Sequence, residues 1–283
     1  MPTITAISSL GWAHYTLYEA LPRMAARGFS RAEIASFHSY CFHFNFGSPQ
    51  PQELKQMLAC HGMTPVCLNW SPGSPFAWDE AGAERWVQAF ERKIPQAAEA
   101  GIPMMTMHFG ERNNRPDQDA QLATAVRLYD RVGEFAARHG VRMLLEVPHL
   151  YTIHWNVESV LWIFERLSSP NIGALVDSSH WGIIGYDLDS FLGALGKRLW
   201  HVHLRDSAGP DTGDRKQQLE MTPGRGRADF RRFGEALDRA GYSGDISIEF
   251  EYRDMTFEAI ELEYDFGFRH LKDCGWHFPA GVC

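Results

Sequence analysis

Short runs of aliphatic residues alternate along this chain with longer stretches in which apolar side chains recur every three or four positions. The first pattern suits strands buried on both faces and the second suits helices with one apolar stripe, so their alternation predicts repeated strand-helix units around a parallel sheet. Strand candidates fall at residues 3–7, 31–35, 64–68, 104–107, 142–146, 173–176, 199–203 and 246–250. Helical patterns fill the intervals at 17–27, 52–61, 83–100, 119–139, 157–167, 188–195, 229–240 and 257–272. Five helices run into a glycine that launches the next strand, at Gly28, Gly62, Gly101, Gly140 and Gly241. Glycine takes the left-handed C-cap conformation at little steric cost, which marks this end of each unit as the helix-to-strand side. The opposite connections, at 38–48, 69–78, 109–117, 148–156 and 206–226, are longer and richer in aromatic and polar residues. Eight such units, spaced on average about 35 residues apart, predict an α/β fold, a (β/α)8 barrel with its chemistry on the longer loops. An open doubly wound sheet is the alternative, but no G-x-G-x-x-G or Walker-type loop supports it; the glycine-rich Pro223-Gly224-Arg225-Gly226-Arg227 does not directly follow a strand.

The chain of 283 residues is long for one domain, yet barrels of this kind reach that length and no low-complexity linker divides it, so one domain over 1–283 is expected. Hydrophobic residues at 45% and charged residues at 22% allow a sizeable core. A formal net charge of -8 and a pI near 5.9 oppose nucleic acid and anionic membrane surfaces as partners, which leaves a small molecule. No apolar stretch approaches the roughly 20 residues of a transmembrane helix. Cys41, Cys60, Cys67, Cys274 and Cys283 are odd in number, show no C-x-x-C spacing and follow no secretory h-region, so reduced thiols in a cytoplasmic protein are expected.

Several strand candidates end on a group able to hold a metal. Residues 143–146 end on Glu146, 174–177 on Asp177 with His180 three residues later, 199–203 carry His201 and His203, and 246–249 end on Glu249. Carboxylates and a histidine brought from different strands to one point make a mixed oxygen and nitrogen site for a divalent ion. Taken alone, an acid at a strand end is as readily a helix cap or an ion-pair partner. His201 lies two residues before His203 and therefore points to the same face one layer deeper, where a hydrogen-bonded core role suits it; Glu251 stands in the same relation to Glu249 and is an alternative ligand. His108, at the end of the fourth strand, faces the same mouth as either a substrate donor or a packed core histidine. Arg225 and Arg227 suit an anionic group or are solvated loop charge. Trp12, Phe44, Phe46, Trp70, Trp155 and Trp181 lie on or near the same loops, as an apolar wall for a sugar or as packing.

With those strand ends in place, the chain resembles the xylose-isomerase-like barrel superfamily, the sugar isomerase and epimerase branch that also includes the endonuclease IV type of repair enzyme. The resemblance rests on Glu146 at the end of strand five and Asp177-Ser178-Ser179-His180 on strand six. His201-Val202-His203-Leu204-Arg205-Asp206 carries it on strand seven, Pro223 to Phe230 on the following loop, and Gly241-Tyr242-Ser243-Gly244 into Glu249 on strand eight. The resemblance implies that Glu146, Asp177, His203 and Glu249 hold one divalent metal and that His180 contacts the substrate beside it. Three carboxylates and one imidazole suit Mn²⁺ first, with Mg²⁺, Co²⁺ or Zn²⁺ as alternatives.

The function this implies is a metal-dependent isomerase or epimerase of a sugar or keto-polyol, in which Glu146 and Glu249 move a proton beside a metal-stabilised enediolate. A homodimer or homotetramer goes with the family. Ketose 3-epimerases carry a glutamate and an arginine where this chain has Thr152 and Gly209, which sets its substrate apart. An inosose-type dehydratase would share the same first half-reaction. Repair of abasic DNA needs three metals and more histidines; strand three ends in Asn69 where that branch has a histidine. A barrel that binds a metal or sugar without catalysis is the non-enzymatic alternative.

Overall fold

The structure, a computed structural model, describes residues 1–45, 47–72, 80–110, 118–209 and 221–282. Eight parallel strands close on themselves: β1 (Ala6–Ser8), β2 (Arg31–Phe37), β4 (Thr64–Ser71), β5 (Met104–Thr106), β6 (Arg142–Glu146), β7 (Ile172–Asp177), β8 (Leu199–Leu204) and β9 (Asp245–Ile248). Closure comes from β1, which pairs with β9 through Ile7↔Ile248 and with β2 through Ile7↔Ala32. β3 (Cys41–Phe42) folds back antiparallel on the end of β2. Outside the barrel run α1 (Leu17–Ala26), α2 (Pro51–Cys60), α3 (Glu80–Glu99), α4 (Gln118–Arg138), α5 (Val157–Arg166), α6 (Ser178–Ile184), α7 (Leu188–Leu195), α8 (Phe230–Arg239) and α9 (Phe257–Asp273). The (β/α)8 architecture expected from the repeat is the one observed.

The glycine punctuation has the expected geometry: Gly28, Gly62, Gly101, Gly140 and Gly241 all take positive φ, from 65° to 86°. Three elements go beyond the periodicity. β2 and β4 run past their apolar cores, to Phe37 and Ser71, and α6 begins at once where β7 stops, capped by the Asp177 side chain accepting from Ser179 N–H at 2.6 Å. The C-terminal tail packs on the barrel: Trp276 is buried and donates to Phe230 O at 3.0 Å, and Phe278 meets Phe29 and Phe268. Cys283 and the aromatic Phe46 lie outside the described residues, as do the loop segments 73–79, 111–117 and 210–220.

Strand periodicity sorts the side chains into two cores. Met143 and Leu145, Ala174 and Val176, and Ile246 and Ile248 face outward into the large cluster shared with the helices. The inward partners Leu144 and Leu175, with Ala6, Val66 and Met104, form a small apolar plug inside the barrel. Two residues further along the same inward faces stand Glu146 and Asp177. The plug closes the floor, so polar groups at the strand ends face a single opening.

Gly173 on β7 shows how tightly the interior is filled, because a Cβ there would lie 2.1 Å from Cδ2 of Trp200 on β8. Gly173→Ala is expected to lower the urea unfolding midpoint by the equivalent of roughly 1–3 kcal/mol of overpacking. Adding Trp200→Leu to that variant should recover part of the loss, and equal midpoints for the single and double variants would refute the clash.

Candidate metal centre and active site

The four strand-end groups converge. One ligand atom each from Glu146, Asp177, His203 and Glu249 lies within 4.8 Å of all the others, and all four side chains are buried. Pairing across the barrel sets this up: Asp177 is in register with His203, and His203 with Ser247, two residues before Glu249. His203 Nδ1 lies 3.2 Å from Glu249 Oε2 and 3.9 Å from Glu146 Oε1. Glu146 Oε1, Glu249 Oε2 and His203 Nδ1 are buried with no hydrogen-bond partner. Buried polar atoms are normally satisfied, so three that face one another mark a place for a cation. Burial, reinforced by Glu249, holds the Glu146 carboxyl well above its usual pKa. Oxygen-rich donors with one imidazole fit a hard or borderline divalent ion.

Beneath this layer lies a carboxylate that orients His203. Glu33 on β2 is fully buried and accepts from His203 Nε2 at 2.7 Å and from His201 Nε2 at 3.0 Å. Burial would raise its pKa, but His203 and His201 hold it well below the usual carboxylate range. With Nε2 committed to Glu33, His203 presents Nδ1 to the ligand layer, the arrangement by which a second carboxylate fixes a metal-binding ring. His201 sits one layer deeper, between Glu33 and Ser247 Oγ at 3.0 Å. Asn69 at the end of β4 donates to Glu249 Oε1 and accepts from Thr106 Oγ1 at 3.1 Å.

Arg205 closes the other side of the layer. Its Nη2 lies 2.8 Å from Asp177 Oδ2 and 3.6 Å from Glu249 Oε2, and its Nη1 lies 3.1 Å from Glu251 Oε2. Burial opposes ionisation of Asp177, but Arg205 holds its pKa below the ordinary value. Glu251 is taken up by Arg205 and Arg253 and stands outside the four-ligand group. The following loop is tied down by Asp206, whose two oxygens accept from the N–H groups of Ser207, Gly224, Gly226 and Ala228 at 2.7 to 2.9 Å. A Cβ on Gly226 would lie 2.3 Å from Ser207 O, which explains why this turn is glycine-rich.

Three histidines line the wall beside Glu146. His180 Nε2 is 3.6 Å from Glu146 Oε1, while His108 and His149 Nε2 are 3.8 and 3.9 Å from Oε2. Burial lowers the pKa of His108 to about 4 and of His180 to about 3, and pushes that of His149 well down. His154 behind them is also buried, and its pKa is lowered to about 3. Arg227 is exposed, its N–H donating to Ser207 O and its side-chain stem against Gly209, outside the ligand cluster; Arg225 pairs with Glu263 at 2.8 Å. Among the aromatics, Trp12 stacks on Tyr264 at 4.7 Å, Trp70 packs on Phe90, Trp181 on Phe233, and Phe44 lies beneath Lys93, so these are packing groups; Trp155 is partly buried.

Glu33 and His149, which border this cluster, are not marked by the sequence pattern, and Asn69 stands out there only as a departure from the repair branch. An acid set between Ala32 and Ile34 in a strand pattern is the available signal for Glu33. His149 had only its place three residues after Glu146.

The family described as the xylose isomerase-like TIM barrel matches residues 21–274. This chain belongs to that family. The inosose isomerase of Bacillus subtilis (strain 168) is 27% identical over 139 residues, 48% of this chain and 50% of that protein, so the match spans about half the relative's length. The 2-oxo-tetronate isomerase of Pectobacterium atrosepticum is 23% identical over 245 residues, 82% of this chain and 88% of that one. A D-psicose 3-epimerase from Clostridium cellulolyticum H10, crystallised with D-tagatose, shares the fold at a TM-score of 0.75, with 16% identity over 96% of this chain and 99% of that one. The IOLI protein with a bound zinc atom shares it at 0.75, with 18% identity over 96% of each chain. These structures share the barrel fold. No described helix is long and apolar enough to cross a membrane.

Glu33→Gln keeps the shape of the Glu33 side chain and removes the charge that orients His203. Metal titration by calorimetry should show affinity falling by roughly 10–100-fold with the far-ultraviolet spectrum intact; unchanged affinity would mean that Glu33 does not support the ligand.

The buried histidines also set an acid limit. Their folded pKa values are depressed below the ordinary 6.5, to about 4 for His43 and His108 and about 3 for His154 and His180, so between those values the unfolded chain binds protons that the folded chain refuses. Stability is therefore lost as pH falls from about 6.5 toward 4, by up to about 1.4 kcal/mol per pH unit for each group. Glu146 acts in the opposite sense above pH 4.5 and His203, whose pKa is raised by Glu249 and Glu33, above pH 6.5, but these are two groups against the depressed histidines. Urea midpoints of the metal-free protein should drop steadily from pH 7 to pH 5, and a flat profile would contradict this assignment.

Proposed function

We propose that this chain isomerises or epimerises a small ketose or keto-polyol by moving a proton at the carbon beside the carbonyl, with a divalent metal at Glu146, Asp177, His203 and Glu249. One observation carries the reading: two glutamates, one ending β6 and one just after β9, each leave a buried oxygen without a hydrogen-bond partner in the same small layer as Asp177 and His203. Such a pair can address one reacting carbon from two directions. The bound ion would supply Lewis-acid polarisation of the substrate carbonyl. On chemistry Mn²⁺ is the first choice, with Zn²⁺, the metal in the IOLI structure, as the next to test.

The protein's own groups divide the remaining work. Glu146 is buried beside Glu249, which raises its pKa in the metal-free site, and it is placed to hold or take up a proton. Glu249 is oriented by the Asn69 amide on one oxygen, leaving Oε2 for the reaction layer. His180 accepts the Leu150 N–H on Nδ1 at 3.3 Å, so its Nε2 carries a proton that can be donated to a substrate oxygen. His108 borders the same space, and Arg227 is a candidate for the outer end of a longer substrate. The apolar plug below the ligand layer keeps the reacting carbon away from a second water entrance. The names of the relatives, an inosose isomerase and a 2-oxo-tetronate isomerase, support a polyhydroxylated carbonyl compound as substrate. A cytoplasmic homodimer or homotetramer is the expected working form.

The deciding experiment incubates Mn²⁺-loaded protein with 2-keto-myo-inositol or D-fructose in D₂O and follows deuterium incorporation and sugar interconversion by NMR. Glu146→Gln and Glu249→Gln should each lower the exchange rate by about 10²–10⁴-fold, the usual contribution of a positioned acid or base. Exchange that persists in both variants sinks the proton-transfer assignment. An enone absorbance in place of interconversion would turn the reading into a dehydratase.

A further inference from the structure

One turn holds two neighbouring imidazoles in defined protonation states. It runs from Pro148 to His154, and Thr152 closes it by donating to His149 O from N–H at 3.0 Å and from Oγ1 at 3.2 Å. Two consecutive amides of this turn then act on the rings: Leu150 N–H donates to His180 Nδ1 at 3.3 Å, and Tyr151 N–H donates to His149 Nδ1 at 3.3 Å. A ring nitrogen that accepts a hydrogen bond bears no proton, so each neutral ring carries its proton on Nε2.

Both Nε2–H groups point toward Glu146 without reaching it. The separations are 3.6 Å from His180 to Oε1 and 3.9 Å from His149 to Oε2, beyond hydrogen-bond range. The two ring centroids are 4.3 Å apart. His180 Nε2 is buried without a partner, whereas the His149 side chain is 18% exposed and reachable from outside. Because ligand atoms of Glu146, His149 and His180 also lie within 4.8 Å of one another, the trio has the spacing of a second metal site. The hydrogen bonds exclude that use. A metal ligand must offer a lone pair, and here the Nδ1 lone pairs are occupied by backbone N–H groups while both Nε2 atoms carry protons.

We propose that His149 is a substrate-binding residue whose Nε2–H, side by side with that of His180, holds one of two neighbouring oxygens of a polyhydroxylated substrate over Glu146. The identity of the substrate rests on the proposed function; the direction of the N–H does not. Neighbouring donors matched to neighbouring hydroxyls favour a substrate oxygenated on adjacent carbons and reject a deoxy analogue, whose missing oxygen leaves a donor without an acceptor.

The test has two arms. Long-range ¹H–¹⁵N spectra of the metal-free and Zn²⁺-loaded protein read the tautomers directly, without turnover. The Nε2–H form is expected for both His149 and His180, unchanged by Zn²⁺; an unprotonated His149 Nε2, or one shifted by direct Zn²⁺ ligation, overturns the proposal. In the second arm, 2-keto-myo-inositol is titrated onto Zn²⁺-loaded wild type, His149→Phe and His149→Gln, and KM and kcat are measured on the Mn²⁺ forms. His149→Phe should raise Kd and KM by roughly 3–10-fold, the effect of one neutral hydrogen bond, with metal affinity unchanged. His149→Gln, which returns an N–H donor near the same point, should recover part of the loss. Equal binding by wild type and His149→Phe also overturns the proposal. Wild type that binds no such probe counts against the proposed function, and the tautomer arm then decides the assignment of His149 alone.

Discussion

Three carboxylates buried around one point are the constraint on which this molecule is built. Ligand atoms of Glu146, Asp177 and Glu249 approach within 4.8 Å, where each ionised pair repels by roughly 3–4 kcal/mol at an effective dielectric of about 20. Water cannot screen them, because the barrel floor is plugged and the side chains are buried. The protein answers with positive and hydrogen-bonding groups on every side. Arg205 bridges Asp177 and Glu251, His203 stands between Glu33 and Glu249, and Asn69 donates to the remaining Glu249 oxygen. Facing one another in this layer are buried oxygens of Glu146 and Glu249 and Nδ1 of His203, none with a hydrogen-bond partner among the described residues, and such a group could hold a cation.

The layered interior explains why the ligand set is built on strands. Along β6 and β7 the inward residues go from apolar, Leu144 and Leu175, to acidic, Glu146 and Asp177, within one side-chain period. Hydrophobic burial fixes the register, since a slip by one residue would turn Leu144 outward and Leu145 inward. The same register then places the carboxylates. The chemistry is therefore positioned by the core directly beneath it, and the loops only finish it.

Legibility followed the same division. The strands and helices could be read because period-two and period-3.6 patterns are local properties of the chain, and the helix-end glycines are read from one residue each. Glu146, Asp177, His203 and Glu249 stand out as candidates because each lies at the end of a strand pattern, and the family resemblance joins them into one set. Glu33 could not be ranked among them, because its partners His201 and His203 lie 168 and 170 residues away and meet it only when β1 joins β2 to β9. The pairing of Asn69 with Glu249, 180 residues apart, is equally a product of closure. His149 was hidden for another reason: its role depends on which ring nitrogen a backbone amide of its own turn reaches, and residue spacing does not encode that.

Asp177 shows that the structural and chemical readings of a strand-end acid need not compete. Its Oδ1 caps α6 by accepting from Ser179, and its Oδ2 is paired with Arg205. Capping fixes the carboxylate plane and starts the helix that carries His180 into the wall. The ion pair holds the charge in place where burial alone would favour the proton. Arg205 is anchored a second time on Glu251, so it can share Asp177 with another cation without being left unpaired in the interior. One carboxylate thus begins a helix, carries a buried charge and sits beside the buried His180 that its own helix supplies.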